Sequence, residues 1–137
     1  MNLPSRESLP LKALPQKLSV SSDNLKKFHK AFQLGDPTSN WIPPTFAALA
    51  LQGVFSILNS LKVDWHGLLH ATQSFEFHHP LRPHDAIVVE TELTDLRLRA
   101  GMHWFNFKME LINEKSGQKI LTSKSLIMVK DRTGQSV

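Results

Sequence analysis

Asp36 is a lone carboxylate in the run Leu34-Gly35-Asp36-Pro37, shortly before a double proline, Pro43-Pro44, and an apolar helix. The spacing predicts that helix over residues 45–60. Phe46, Ala47, Ala48, Leu49, Ala50, Leu51, Val54, Phe55, Ile57 and Leu58 leave it almost no polar face. A helix of that kind is buried on most sides. Its first turn then presents backbone N–H groups without intrahelical partners, inside the protein and near a carboxylate. A carboxylate that holds water, next to donors that polarise an oxygen, suits acid–base chemistry on a carbonyl compound.

The seven histidines supply further candidates. His66 and His70 flank the start of a predicted strand, and His70 is the better placed because that strand should run beside the central helix. A histidine at a strand end also serves simply by bonding backbone. His78, His79 and His84 surround a proline turn with Asp85; they have no facing ligand set of the kind a metal requires. His29 lies beside Phe28 on a helix face, and His103 precedes a phenylalanine stripe and marks a strand end near a dimer edge. Asp36 in Gly-Asp-Pro equally suits a plain turn, since both Asp and Pro favour turns for local reasons. Trp41 reads as a wall of the pocket or core.

These residues need elements to hold them. Pro4, Pro10 and Pro15 make residues 1–15 an extended arm in which helix and regular ladder are not expected. Residues 17–21 alternate as a short strand. Ser22 or Asp23 caps a helix with Leu25, Phe28, Ala31 and Phe32 on its apolar face, stopped by Gly35 and Pro37. The buried helix follows. Beyond residue 67 the apolar period changes from 3.6 to 2. Strands are expected over 69–79, 86–98, 102–113 and 118–130, with turns at Pro80 to His84, Arg99-Ala100-Gly101 and Lys115-Ser116-Gly117. Ala71, Gln73, Phe75 and Phe77 should share one face of the first of these. In the second, Ile87, Val89, Thr91 and Leu93 oppose Val88, Glu90, Glu92 and Thr94. Helices before a run of strands imply an α+β domain, with an antiparallel sheet wrapped around one central helix. The expected organisation is an arm (1–15), one domain (16–131) and a polar tail (132–137).

Composition narrows the function. A chain of 137 residues can bury a core without disulfides, and with no cysteine it has neither a disulfide framework nor a zinc–thiolate site. The start resembles no secretory signal, and the apolar helix is too short and too interrupted by Gln52, Ser56 and Asn59 to span a bilayer, so a cytoplasmic protein is expected. The net charge of +4 gathers toward the C-terminal end, and arginines are not interleaved with aromatics as on a single-strand-binding face. No nucleic-acid or membrane partner is expected. No phosphate loop, nucleophilic serine motif or dinucleotide fingerprint is visible.

Three segments together resemble the hot-dog fold, specifically the MaoC-like acyl-thioester dehydratases and hydratases. They are residues 28–37, ending in Gly35-Asp36-Pro37; Ile42-Pro43-Pro44-Thr45-Phe46; and residues 69–85, ending in Pro80-Leu81-Arg82-Pro83-His84-Asp85. The last is the most specific match. The resemblance covers roughly residues 17–130 and is nearest to the N-terminal, non-catalytic-type dehydratase half. It implies that Asp36 is the aspartate of the family's water-handling Asp–His pair. It further implies that the N–H of Thr45, after Pro44, polarises the thioester carbonyl, and that Trp41, Pro44, Thr45, Phe46 and His70 line the substrate. The family's histidine position falls on Trp41. The implied substrate is an acyl-CoA or acyl-carrier-protein thioester, in fatty acid metabolism, with no cofactor beyond the CoA or phosphopantetheine carrier. The implied assembly is a homodimer, or a heterodimer with a catalytic hot-dog partner. An acyl-CoA thioesterase keeps the same fold and is the remaining alternative.

Overall fold

Strict alternation of apolar and polar residues turns the second half of the chain into long strands. The computed structural model describes residues 2–19, 51–64, 66–80, 82 and 84–132. Its elements are β1 (Leu11–Lys12), β2 (Gln16–Ser19), α1 (Gln52–Ser60), β3 (Leu68–Phe77), β4 (Ala86–Arg99), β5 (Met102–Asn113) and β6 (Lys119–Lys130). The strands form one antiparallel sheet in the order β1-β4-β5-β6-β3, with β2 also paired to β4.

β4, β5 and β6 follow one another as hairpins. Ala100 and Gly101 link the first pair with φ of 50° and 73°, the left-handed pattern that two-residue hairpin turns use. β3 departs from simple succession. It lies beyond β6 at the sheet edge, so residues 78–85 carry the chain from one edge strand to β4, beside β1 and β2.

β4, β5 and β6 bury a mainly apolar inner face. Ile87, Val89, Leu93, Phe105, Phe107, Met109, Leu111, Ile127 and Val129 are all buried. The α1 residues Val54, Ile57 and Leu58 join Leu93, Leu96, Phe105, Phe107, Met109, Ile127 and Val129 in one core. Each side chain of this size removed from water contributes roughly 1.5–3 kcal/mol. Gly53 lets the helix approach the sheet: a Cβ there would come within 2.7 Å of Thr91 Cβ.

Two expectations change. The described part of the central helix is one-sided, since Gly53, Val54, Ile57 and Leu58 are buried while Gln52, Ser56, Asn59 and Ser60 face outward. Its polar residues recur three to four apart, which gathers them on one stripe. The proline-rich arm does contain local structure, a 3-10 turn at Arg6–Ser8 and the β1 pairing Leu11↔Leu93 and Lys12↔Glu92. The prolines fall outside these short elements, so no paired N–H is lost. The predicted helix ending at Gly35 lies outside the described residues.

On the outer face, Glu110 meets Lys108 at 2.9 Å and Lys119 at 2.9 Å. Hydrogen bonds from Lys119 and then Lys108 hold its carboxyl below its ordinary value of 4.5, outweighing the opposing effect of burial. A depressed carboxylate stabilises the fold above its unfolded pKa, and that contribution disappears as pH falls through the folded value. Glu110→Gln should therefore cost up to about 1 kcal/mol at neutral pH. The difference should vanish in denaturation curves taken well below pH 4.5.

Candidate functional site

β3 carries polar and aromatic groups on the side that faces the core. Its register with β6 sets this: Leu68, His70, Gln73, Phe75 and Phe77 stand opposite Val129, Ile127, Ser125, Ser123 and Leu121, all of them buried. Directly opposed residues of an antiparallel pair share a face. A bulge between His70 and Thr72 shifts the alternation by one, which turns His70 inward and takes Ala71 out of the predicted face. The inner edge remains open, with Phe75 at 36% and Phe77 at 47% exposure and ring centroids 6.4 Å apart.

A hydrogen-bonded chain runs across this edge. His70 Nε2 lies 2.9 Å from Gln73 Oε1. Gln73 Nε2 donates to Ser123 Oγ, Ser125 Oγ donates to Gln73 Oε1, and Ser123 Oγ donates to the Ser74 carbonyl at 2.8 Å. Ser123 and Ser125 are buried. They occupy inward positions of β6 that Leu121, Ile127 and Val129 would predict to be apolar. That break in the period-2 pattern was the signal available in the sequence, and neither serine was singled out from it.

Of the predicted site residues, His70 stands on this edge, while Asp36, Trp41, Pro44, Thr45 and Phe46 lie outside the described residues. The space between α1 and the sheet is filled by the packed core. An acyl tail lying between helix and sheet therefore has no room at Gln52–Ser60; the open inner surface is that of β3.

His66, His78, His79 and His103 serve local structure, and His29 lies outside the described residues. His66 Nδ1 is 3.0 Å from Asp64 Oδ1. His78 Nε2 is 2.9 Å from Thr122 Oγ1, and His79 Nδ1 donates to the Lys119 carbonyl at 2.8 Å. Among the described residues, no group of three or more potential ligands is placed to hold a metal ion. His103 is the second residue of β5, at a strand end as expected. It is buried on the central strand β5, with Nε2 3.2 Å from Asp131 Oδ1, a pairing that ties the end of β6 to β5.

A groove of about 590 Å³ opens between residues 12–15 and Glu90, Glu92, Lys108 and Glu110. These charged side chains alternate with the buried residues of β4 and β5, which places them on the outer face, away from His70.

Among the described residues, a single antiparallel sheet with one α-helix packed across it is the arrangement of a hot-dog fold. The FAS1-like dehydratase domain region matches residues 12–123, and the chain belongs to that family, of the MaoC-like hot-dog dehydratase type. A UPF0336 protein of Thermobifida fusca is 26% identical over 91 residues, 64% of this chain and 59% of that protein. The chain spans somewhat under three fifths of the length of the curated relatives it matches. Among solved structures, the (3R)-hydroxyacyl-ACP dehydratase complex HadBC of Mycobacterium tuberculosis superposes with a TM-score of 0.69 at 18% identity, covering 88% of this chain and 96% of that one. The R-hydratase PhaJ1 of Pseudomonas aeruginosa gives 0.61 at 15% identity, covering 91% and 83%. At such identities these two likenesses speak for the fold. No described helix is long and apolar enough to cross a membrane.

Proposed function

We propose that this protein adds water to enoyl thioesters, or removes it from (3R)-3-hydroxyacyl thioesters, carried on CoA or on acyl carrier protein. The observation that carries the reading is the dehydratase-family match over residues 12–123, which spans the Gly35-Asp36-Pro37 turn. In this reading Asp36 orients the water. The N–H of Thr45, reached through Pro44, holds the thioester oxygen as negative charge develops on it. Trp41 and Phe46 wall the thioester end, and the acyl chain lies along the exposed Phe75 and Phe77.

Assembly completes the site. β3 is ten residues long and has β6 as its only neighbour in the described sheet, so its other edge carries backbone groups with no ladder partner. Exposed Leu69, Phe75 and Phe77 add apolar surface along the same strand. A second hot-dog chain pairing there covers both, the usual remedy for a long open edge. We take this to be a homodimer. Trp41 at the family's histidine position favours a second reading, in which the partner is a different hot-dog chain that brings an intact Asp–His pair.

Crotonyl-CoA tests the proposal. The purified chain should remove the enoyl-thioester absorbance while free thiol stays at the level of a protein-free control. Thiol release in step with loss of substrate would make it a thioesterase instead. No turnover alone, followed by turnover when a catalytic hot-dog partner is added, would select the heterodimer.

A further inference from the structure

The hydrogen-bonded chain on β3 and β6 fixes more than the position of His70. Ser123 has one hydroxyl proton and gives it to the Ser74 carbonyl, so toward Gln73 it can only accept. That places the amide nitrogen of Gln73 at Ser123 and its oxygen at Ser125 and His70. An acceptor 2.9 Å from Nε2 requires the proton on Nε2. In the neutral ring, Nδ1 then carries the lone pair. Nδ1 makes no hydrogen bond to any described residue, and His70 is exposed on the inner side of the strand.

We propose that His70 is the proton-transfer residue of the reaction, and that Gln73, held by Ser123 and Ser125, is the positioning residue that keeps Nδ1 as its base. This rests on the hydratase reading above. As the water oxygen bonds to Cβ, Nδ1 takes one of its protons. The Cα=Cβ electron pair shifts toward the thioester oxygen as an enolate. When the enolate collapses, Nδ1–H returns the proton to Cα, so one water is added with no net oxidation. His70 thus supplies the function absent at Trp41, from a different element of the same chain.

The test uses the full-length protein with crotonyl-CoA. His70→Ala should lower kcat by roughly 10²–10⁴-fold, with KM within about threefold, and added imidazole should restore part of the rate. Gln73→Leu should lower kcat by roughly tenfold or more and move the basic-catalyst limb of the pH–rate profile. Nitrogen-15 NMR of the His70 ring should show the Nε2–H tautomer in the wild type and a mixture in Gln73→Leu. A wild type that hydrates crotonyl-CoA while His70→Ala keeps its rate within about threefold overturns the role of His70 and leaves the hydratase reading standing. A wild type that shows the Nδ1–H tautomer overturns it as well. A wild type with no hydration overturns both. Because His70 is exposed, its variants should keep the wild-type thermal midpoint, which separates lost chemistry from lost fold.

Discussion

Asp36→Asn should abolish most of the hydration of crotonyl-CoA, with kcat reduced by about 10²–10⁴-fold and the thermal midpoint unchanged. Asparagine keeps the size and turn preference of aspartate, so a residue that only shapes the Gly35-Asp36-Pro37 turn would tolerate the change. What the amide lacks is the negative charge and the second acceptor oxygen that fix a water for proton loss. KM should change much less than kcat, because water orientation acts in the transition state and adds little to ground-state binding. A variant with the wild-type rate would return Asp36 to the role of a turn residue.

Gly53→Val should give the largest loss of stability, close to or beyond the upper end of the ~1–3 kcal/mol typical of overpacked cores, or roughly 10 °C in thermal midpoint. A helix interior ordinarily gains about 1 kcal/mol when glycine gives way to alanine. Here the added Cβ meets Thr91, whose Cβ would lie 2.7 Å away and which β4 holds in place. The helix must back off from the sheet, opening contacts around Val54, Ile57 and Leu58. Thr91 is the other half of the constraint. Its buried hydroxyl has no hydrogen-bond partner among the described residues, so Thr91→Gly, which takes away Oγ1 and Cβ alike, removes both the obstruction and an orphan polar group. In the background Thr91→Gly, Gly53→Ala should cost less than it does beside Thr91. Chemical denaturation of the two single variants and the double variant measures that coupling.

Much of the sheet was legible because β4, β5 and β6 each have one buried face. Over Ala86–Arg99, Met102–Asn113 and Lys119–Lys130 the alternation gave elements within a residue or two of those observed, and Ile87, Val89, Thr91 and Leu93 share one face of β4 as expected. Two kinds of feature were harder to read. Pairing order is a long-range property: nothing in Leu68–Phe77 says that it joins β6 rather than the strand that follows it. Bulges are equally silent, and the one between His70 and Thr72 reverses the face of His70 with no glycine or proline to announce it. Over Gln52–Ser60 the outward stripe of Gln52, Ser56 and Asn59 emerges only when the helical period is applied, while residues 45–50 lie outside the described residues.

The candidate site divides in the same way. The Gly35-Asp36-Pro37 and Pro44-Thr45 segments are expectations drawn from adjacent residues, and they lie outside the described residues. The Gln73–Ser123–Ser125 cluster joins residues fifty positions apart, and only the β3–β6 register brings them together. Ser123 and Ser125 nonetheless left a trace, as two hydroxyl residues where the alternation of β6 calls for apolar ones.

Hydration of crotonyl-CoA in oxygen-18 water tests the central claim most directly. Hydration places a single labelled oxygen on Cβ and leaves the thioester bond intact, so mass spectrometry of the wild-type reaction should find labelled 3-hydroxybutyryl-CoA and no labelled free acid. Label in crotonate with release of CoA would show hydrolysis at the carbonyl carbon. Label in no product beyond that found with Asp36→Asn would show that this chain does not carry out the chemistry alone. Either result would contradict the account.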